Sequence, residues 1–281
     1  MSETELTNFK VIIFDCYGTL ADWETGIYTA LQPLLARFPS SAKWTRKEAL
    51  LAFTAVEKDL QRKDPSMLYR DLLAKAHGVL ADGLRDIDAP ASLKEFTDAS
   101  QQFGASIKDW PIFPDTIDAL RVLEKHYKLV ILSNVDHVSF THTHAKLSND
   151  AAHLPVYAVP MPNPNAHWLP KATPGSRSPF SLILTAQDTG AYKPDPRGML
   201  SALEIIQKEF GVGKEQVLVV AQSLYHDIEP SSELGVTGVW IDRQGASMGL
   251  ETLGDGPKWW KRFETLGQMA EAVEAETETE A

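Results

Sequence analysis

The segment Lys10–Leu20, KVIIFDCYGTL, decides the fold of this chain. Its apolar run lacks the alternation of a half-exposed strand and ends in a carboxylate, Asp15. Such a run is typical of a strand that is buried on both faces of a parallel sheet. Gly18 permits a sharp turn after the strand, because glycine tolerates backbone angles that other residues avoid. We therefore expect Asp15 to lie at the carboxyl end of a buried strand and to face a crevice.

Four further apolar runs repeat this pattern, and helix-length segments separate them. The segment after Asp115 begins with a capping residue, and the segment Pro196–Gly211 ends in glycine, as helices often do. Alternating strands and helices predict an α/β fold with a doubly wound parallel sheet, whose ligands bind at the carboxyl ends of the strands. The four runs are KLVILSN (Lys128–Asn134), SLILTA (Ser181–Ala186), QVLVVAQS (Gln216–Ser223) and GVWID (Gly238–Asp242).

The connection after the first strand is too long for a simple crossover. Residues 21–114 contain no comparable apolar run, but they do contain several helical patterns. We interpret them as an α-helical cap inserted into an α/β core that comprises residues 1–20 and 115–270. The helical patterns cover Thr45–Lys63, Met67–Leu80 and Ser92–Gly104.

Two further segments do not fit the alternation. Residues 149–179 are rich in proline and show no period, which predicts an irregular insertion within the core. Residues 271–281 are acidic, and we expect them to form a disordered, solvated tail.

Composition excludes several classes of protein. The chain has 281 residues, 27 basic and 38 acidic side chains and a formal net charge of −11, so neither nucleic acid nor an anionic membrane is an expected partner. Its single cysteine, Cys16, excludes an internal disulfide framework and fits a reducing compartment. No stretch approaches the length of a membrane span, so we predict a cytoplasmic protein.

Four motifs in order carry a resemblance to a known family. They are FDCYGTL (Phe14–Leu20), SNVDH (Ser133–His137), GAYKPDP (Gly190–Pro196) and VAQSLYHD (Val220–Asp227). As a set they resemble the haloacid dehalogenase superfamily. With the flanking DWETGI they are most similar to its type II (S)-2-haloacid dehalogenase branch.

The residues themselves support a covalent mechanism. Asp15 can act as a nucleophile, and Lys193 can keep it ionised by opposite charge. Asp227 can support Lys193 or orient the water that hydrolyses the intermediate. The resemblance implies that the substrate is bound by backbone amides together with side chains at the strand ends. The predicted substrate-binding side chains are Tyr17, Thr19, Ser133, Asn134 and Ser223.

Position 17 decides the expected reaction. Phosphatases of this superfamily carry a second aspartate two residues after the nucleophile, which protonates the leaving alkoxide. This chain has Tyr17 there, and a phenol with a pKa of about 10 is a poor substitute. A halide leaves without a proton, so Tyr17 favours displacement at carbon. Because the dehalogenase branch is metal-independent, we expect neither magnesium nor any other cofactor.

Departures from the branch leave the substrate open. Its halide-binding arginine falls near Phe53, and Arg46, two helical turns earlier, is either a displaced equivalent or, as we favour, a surface charge. Its tyrosine six residues after the lysine is Met199. Its Ser-Ser-Asn-x-Trp-Asp is changed at several positions, which makes three residues candidates either for water positioning or for packing at the domain seam. These are Gln222, Tyr225 and His226, the last with an unperturbed pKa of about 6.5.

Five of the eight histidines fall between His137 and His167. Imidazole suits zinc or copper, but the spacing follows no compact ligand pattern, so we predict no metal site. We expect Asp136 and His137 to line the substrate entrance instead.

The sequence thus predicts a hydrolase in which Asp15 displaces halide from a short 2-haloacid, giving an ester that water converts to a 2-hydroxy acid. One alternative is the same fold acting on another small carboxylate or ester. Another is a non-catalytic binding module, and a phosphatase is disfavoured. A homodimer is plausible from the resemblance only.

Overall fold

The structure is a computed structural model that describes residues 4–88, 93–149, 167–172, 174–243, 246 and 258–280. Within these residues, six strands form one parallel sheet in the order β3-β2-β1-β4-β5-β6. The strands are β1 (Val11–Phe14), β2 (Lys128–Ser133), β3 (Phe180–Thr185), β4 (Val217–Ala221), β5 (Thr237–Ile241) and β6 (Lys261–Phe263).

The central strand β1 is buried on both faces, as its unbroken apolar run predicts. Ile12 and Phe14 pack into one apolar layer, and Val11 and Ile13 pack into the layer on the opposite face. Helices cover both layers, which confirms the doubly wound α/β fold. Because β1 lies between β2 and β4, its carboxyl end meets theirs at one edge of the sheet.

Helices account for most of the remaining described chain. Four of them follow β1 and form the helical cap: α1 (Trp23–Leu35), α2 (Arg46–Lys63), α3 (Tyr69–Asp88) and α4 (Leu93–Gly104). The others are α5 (Thr116–Leu123), α6 (His137–Leu147), α7 (Ala186–Thr189), α8 (Pro196–Phe210), α9 (Glu229–Glu233) and α10 (Leu266–Glu280).

Local sequence explains where these helices begin and end. Thr45 caps α2 through a reciprocal pair of hydrogen bonds with Glu48. Gly211 ends α8 in the left-handed conformation, with a φ of 67°. Among the described residues, no helix is both long enough and apolar enough to cross a lipid bilayer.

The sixth strand is absent from the sequence prediction. β6 has only three residues, two of them cationic, and it pairs with β5 at the edge of the sheet. An edge strand that short carries no apolar run, so its pairing depends on the neighbouring strand rather than on its own pattern.

The prediction of a disordered acidic tail is wrong for residues 271–280, which form most of α10. Leu266, Met269 and Val273 are fully buried and lie on one helix face. Glu276 accepts hydrogen bonds from the backbone N–H groups of Leu6 and Thr7, at 2.5 and 3.2 Å. The segment is therefore an amphipathic helix that packs on the core. Its many acidic residues make its sequence resemble a disordered tail.

The predicted irregular insertion, residues 149–179, lies largely outside the described residues. Its described part includes a short 3₁₀ helix, Pro170–Ala172, and Trp168. Trp168 is buried against the rings of Phe140 and His144, and its carbonyl accepts a hydrogen bond from the backbone N–H of Ile183 in β3. The end of this segment is therefore anchored to the sheet.

Buried histidines predict a loss of stability in mild acid. His77 and His144 are buried, each pairs with a serine hydroxyl, and burial lowers the pKa of each to about 4. The unfolded chain then binds more protons than the folded chain below about pH 6.5, so stability falls as the pH drops from there towards 4, by up to about 3 kcal/mol for each histidine.

Urea unfolding across that pH interval measures this effect. The His144→Gln variant should lose less stability than the wild type on acidification, whereas His142→Gln, two residues away on α6 and exposed, should behave as the wild type does. An equal response of both variants would contradict this explanation.

Candidate active site

Asp15 lies directly after β1, where the predicted crevice opens. Its backbone N–H still bonds to Val220 of β4, at 3.2 Å, which fixes the position of its Cα. The carboxylate Oδ2 accepts a hydrogen bond from the Thr19 hydroxyl at 2.7 Å, and Oδ1 accepts one from Lys193 Nζ at 2.8 Å. A buried carboxylate held on both oxygens has a defined orientation.

The turn after Asp15 requires glycine at position 18 for two reasons. Gly18 has a φ of 106°, which other residues rarely adopt. A Cβ at this position would lie 3.0 Å from Gln222 Oε1 and 3.2 Å from Trp23 Nε1. The turn therefore depends on both the backbone conformation and the absence of a side chain.

Lys193 connects the two carboxylates of the site. Its ammonium donates to Asp15 Oδ1 at 2.8 Å, to Asp227 Oδ1 at 2.7 Å and to the Leu132 carbonyl at 2.9 Å. Burial by itself lowers the pKa of Lys193, but the charges of Asp15 and Asp227 outweigh it and raise the pKa above its usual range. Lys193 therefore stays charged and neutralises part of the carboxylate pair.

Asn134 holds the loop that carries Lys193. Its Oδ1 accepts a hydrogen bond from the Lys193 backbone N–H at 2.7 Å, and its Nδ2 donates to the Lys193 carbonyl at 3.1 Å. Asn134 also lines the pocket beside Asp15. Asn134, predicted to bind the substrate, therefore positions the backbone of Lys193.

Asp227 lies in a single π-helical turn, Leu224–Ile228, just beyond the end of β4. Such turns are frequent at functional sites. Burial raises the pKa of Asp227 and the charge of Lys193 opposes this rise. Among the described residues, its buried Oδ2 has no hydrogen-bond partner.

Thr19 and Ser133 do not line the pocket. Thr19 is fully buried, donates to Asp15, and accepts from the backbone N–H of Gln222 at 2.9 Å. Ser133 is also buried, and its hydroxyl has no partner among the described residues. Thr19 therefore orients the Asp15 carboxylate, and the predicted contacts of Thr19 and Ser133 with a substrate stay predictions.

Tyr17 lines the pocket, but its hydroxyl is engaged elsewhere. The hydroxyl lies 2.8 Å from the Thr143 hydroxyl, and the ring packs edge-on against Trp110. Burial raises the pKa of Tyr17 further above its ordinary value. A group that holds its proton this firmly is a poor general acid.

The candidate water-positioning residues Gln222, Tyr225 and His226 line the same pocket as Asp227. Ser223, a predicted substrate-binding residue, also lines it. The Ser223 hydroxyl lies 3.0 Å from His226 Nδ1 and accepts from the His226 backbone N–H at 3.1 Å. Burial and the charge of Lys193 lower the pKa of His226 to about 4. The His226 imidazole is therefore neutral at pH 7 and a weaker base than its unperturbed pKa suggests, and its role in positioning water stays a prediction.

Asp136 and His137 do not line the pocket, contrary to expectation. Asp136 is buried, caps α6 through Ser139, and accepts from the backbone N–H of Arg70 at 3.0 Å. His137 pairs with Asp188 at 2.6 Å. Both residues join structural elements rather than facing a ligand.

The cap completes a pocket of about 190 Å³ over Asp15. This volume suits a ligand of few atoms, since drug-sized sites are larger. Sequence reasoning missed the cap residues, because polar side chains on one face of a helix equally well indicate a solvated surface. The cap side chains that line the pocket are Trp23, Thr54, Glu57, Lys58, Gln61 and Tyr69.

The arginine of the dehalogenase branch has no direct replacement at the expected place. Phe53 is fully buried and packs against Phe103. Arg46 lies 3.6 Å from both Asp22 and Glu24 and is not among the pocket-lining residues. Met199, at the place of the branch's tyrosine, is buried in the apolar layer that also contains Val11 and Ile13.

A parallel α/β sheet with a helical cap over a carboxylate–lysine–carboxylate cluster is the architecture of a capped α/β hydrolase. The chain belongs to the haloacid dehalogenase-like hydrolase family, whose model matches residues 9–235. The (S)-2-haloacid dehalogenase of Pseudomonas putida is 22% identical over 248 residues, which cover 86% of this chain and 88% of that protein.

Solved structures share this fold. The L-2-haloacid dehalogenase of Xanthobacter autotrophicus, with chloropropionic acid covalently bound, has a TM-score of 0.59 and 16% identity, covering 95% of this chain and 98% of that one. A HAD-hydrolase of Bacillus subtilis bound to magnesium has a TM-score of 0.60 and 16% identity, covering 95% and 99%.

The site of this chain fits a divalent cation poorly. The Lys193 ammonium already lies between the carboxylates of Asp15 and Asp227. A carboxylate at position 17 would add a ligand for a metal ion. This chain has Tyr17 there, and its phenol is hydrogen-bonded to Thr143. Among the described residues, no three His, Cys, Asp or Glu side chains are grouped as metal ligands would be.

Proposed function

We propose that this chain is a 2-haloacid dehalogenase, which hydrolyses the carbon–halogen bond of a short 2-haloacid. The observation that carries the proposal is the Asp15 carboxylate, oriented by Thr19 and paired with Lys193 beneath a small pocket, with no second aspartate at position 17. This arrangement favours attack on carbon over transfer of a phosphoryl group, because halide leaves without a proton.

In the first step, one oxygen of Asp15 attacks the halogen-bearing carbon in line with the leaving group. A carbon–oxygen bond forms, the carbon–halogen bond breaks, and halide leaves with the bonding electrons. The product is an ester of Asp15. In this proposal the substrate carboxylate is bound by backbone amides after Asp15 and by Asn134, which lines the pocket.

In the second step, water attacks the ester carbonyl carbon of Asp15. We assign Asp227 and the neutral His226, which both line the pocket, as the candidate bases that accept a proton from this water. The bond between that carbon and the ester oxygen, which Asp15 supplied in the first step, then breaks. This oxygen takes a proton back from the base and leaves with the 2-hydroxy acid. The water oxygen stays in the Asp15 carboxyl group, which loses its remaining proton to solvent.

A second candidate is hydrolysis of another small carboxylate or ester by the same nucleophile. Burial of Phe53 at the place of the halide-binding arginine favours it, because the family's cation for the leaving halide is missing there. An assay that offers small esters beside 2-haloacids distinguishes this candidate from dehalogenation, because only this candidate predicts hydrolysis of the esters without release of halide.

Metal dependence tests the proposal. Purified protein should release chloride from 2-chloropropionate equally well with magnesium and with a chelator, since Lys193 supplies the positive charge at Asp15. Ion chromatography of the released chloride measures this. Hydrolysis of a phosphate monoester that requires magnesium, with no halide release from any 2-haloacid, would contradict the proposal.

A further inference from the structure

The cap wall of the pocket is polar along one face of α2. Thr54, Glu57, Lys58 and Gln61 all line the pocket, and their spacing of three, four and seven residues from Thr54 places them on one side of the helix. A pocket for an unsubstituted haloalkanoate needs only apolar contacts beyond the carboxylate and the halogen. This wall instead offers a carboxylate, an ammonium and an amide.

Glu57 is held in place by Tyr69. The Tyr69 hydroxyl donates to Glu57 Oε1 at 2.8 Å, and Tyr69 is itself buried and packs edge-on against Trp110. Among the described residues, no other hydrogen bond to Glu57 is present. One oxygen thus fixes the side chain and leaves acceptor capacity on the pocket side.

Burial raises the pKa of Glu57 to about 7, while the Tyr69 hydrogen bond and the charge of Lys58 oppose the rise. A carboxylate confined in this way gains from a ligand that donates a hydrogen bond to it. Conversely, an apolar ligand displaces water from the carboxylate without replacing the lost hydrogen bond, which disfavours binding of that ligand.

Lys58 lies at the rim of the same wall. Its Nζ is 5.8 Å from the centre of the Tyr225 ring, and both side chains are exposed and line the pocket. A positive charge at the entrance attracts an anionic ligand. The wall therefore combines an anion-attracting rim with a hydrogen-bond acceptor further in.

We propose that the pocket selects a short carboxylate that carries a hydrogen-bond donor, a hydroxyl or an ammonium group, on the carbon chain, and that Glu57 accepts this donor. For turnover the inference rests on the proposed function, since Asp15 must act on the same molecule. As a binding site it stands independently, because recognition by Glu57 requires no displacement step.

Binding of three ligands of similar size tests the inference without turnover. Calorimetry on the full-length protein compares 3-hydroxypropionate, 3-aminopropionate and butyrate, which differ only in the terminal group. We expect the better donor ligand to bind at least about tenfold more tightly than butyrate, because the missing donor leaves Glu57 unpaired. Tighter binding of 3-aminopropionate identifies an ammonium, and tighter binding of 3-hydroxypropionate identifies a hydroxyl.

Glu57→Gln is the informative variant, and Asp59→Asn is its matched control. Asp59 is two residues further along α2, pairs with Arg62 and Lys63, and does not line the pocket. We expect Glu57→Gln to reduce the preference over butyrate severalfold and Asp59→Asn to preserve it. Equal binding of the three ligands to the wild type, including no binding of any, overturns the inference.

Turnover separates this inference from the proposed function. Chloride release from 2-chloro-3-hydroxypropionate should exceed that from 2-chlorobutyrate in kcat/KM. Chloride release at equal efficiency supports the dehalogenase and overturns the selection by Glu57. Preferential ligand binding without any chloride release supports the selection and contradicts the dehalogenase.

Discussion

Replacing Asp15 with asparagine should reduce chloride release from 2-chloropropionate by at least about a thousandfold, because the substitution removes the proposed nucleophile. Asparagine keeps the shape of the side chain and can still accept from Thr19, so the fold should survive. In heavy-oxygen water, the wild-type protein should gain label in Asp15 during turnover, since water attacks the carbonyl carbon of this side chain. Mass spectrometry of the peptide that contains Asp15 measures the label.

Asp242→Asn is the matched control for this experiment. Asp242 directly follows β5, pairs with Arg262, and does not line the pocket. Its variant should retain chloride release and labelling of Asp15. Chloride release with label only in the product would show that water attacks the substrate directly and that Asp15 is not a nucleophile.

Replacing Lys193 with methionine should reduce activity by about a hundredfold or more, because Asp15 and Asp227 would share the site without a counter-charge. One of the two carboxylates then takes up a proton at a higher pH than in the wild type. The residual rate should therefore rise with pH over a range in which the wild-type rate is flat. A pH–rate profile with the wild-type shape would contradict the assigned role.

The same variant should lose about 3–5 kcal/mol in the free energy of unfolding, the usual cost of breaking a buried ion pair. The sign of the pH dependence follows from a carboxyl whose folded-state pKa is raised above its unfolded value. Burial already raises the pKa of Asp227 in the wild type, and loss of Lys193 raises it further. Stability is then lost as the pH rises, so the deficit should be larger at about pH 8 than at about pH 5.

Lys171→Met supplies the comparison for stability. Lys171 pairs with Glu124 at 2.9 Å, and both side chains are about one-third exposed. Exposed pairs contribute at most about 1 kcal/mol, so this variant should be nearly as stable as the wild type. Urea unfolding of both variants under the same conditions measures the difference between a buried and an exposed ion pair.

The clustering of Asp15, Lys193 and Asp227 could be predicted from sequence because each residue lies in a local pattern. Asp15 ends an apolar run, and Lys193 and Asp227 belong to short motifs that follow other runs. The structure brings Lys193 within 2.8 Å of Asp15 and 2.7 Å of Asp227. Roles were harder to predict than positions, because Asn134 and Thr19 bind other site residues whose approach depends on the packing of distant segments.

The amino-acid sequence by itself determined the five long strands, the helical cap and the place of Asp15 at the end of β1. Apolar periodicity, caps and glycines act over a few residues and need no knowledge of the fold. Only the tertiary structure decided that Glu57 and Lys58 line the same pocket as Asp15 and that the acidic end forms the helix α10. It also decided that Tyr17 bonds to Thr143. Whether a polar helix face meets solvent, a partner helix or a pocket depends on contacts between residues far apart in the chain, and these contacts leave no local pattern.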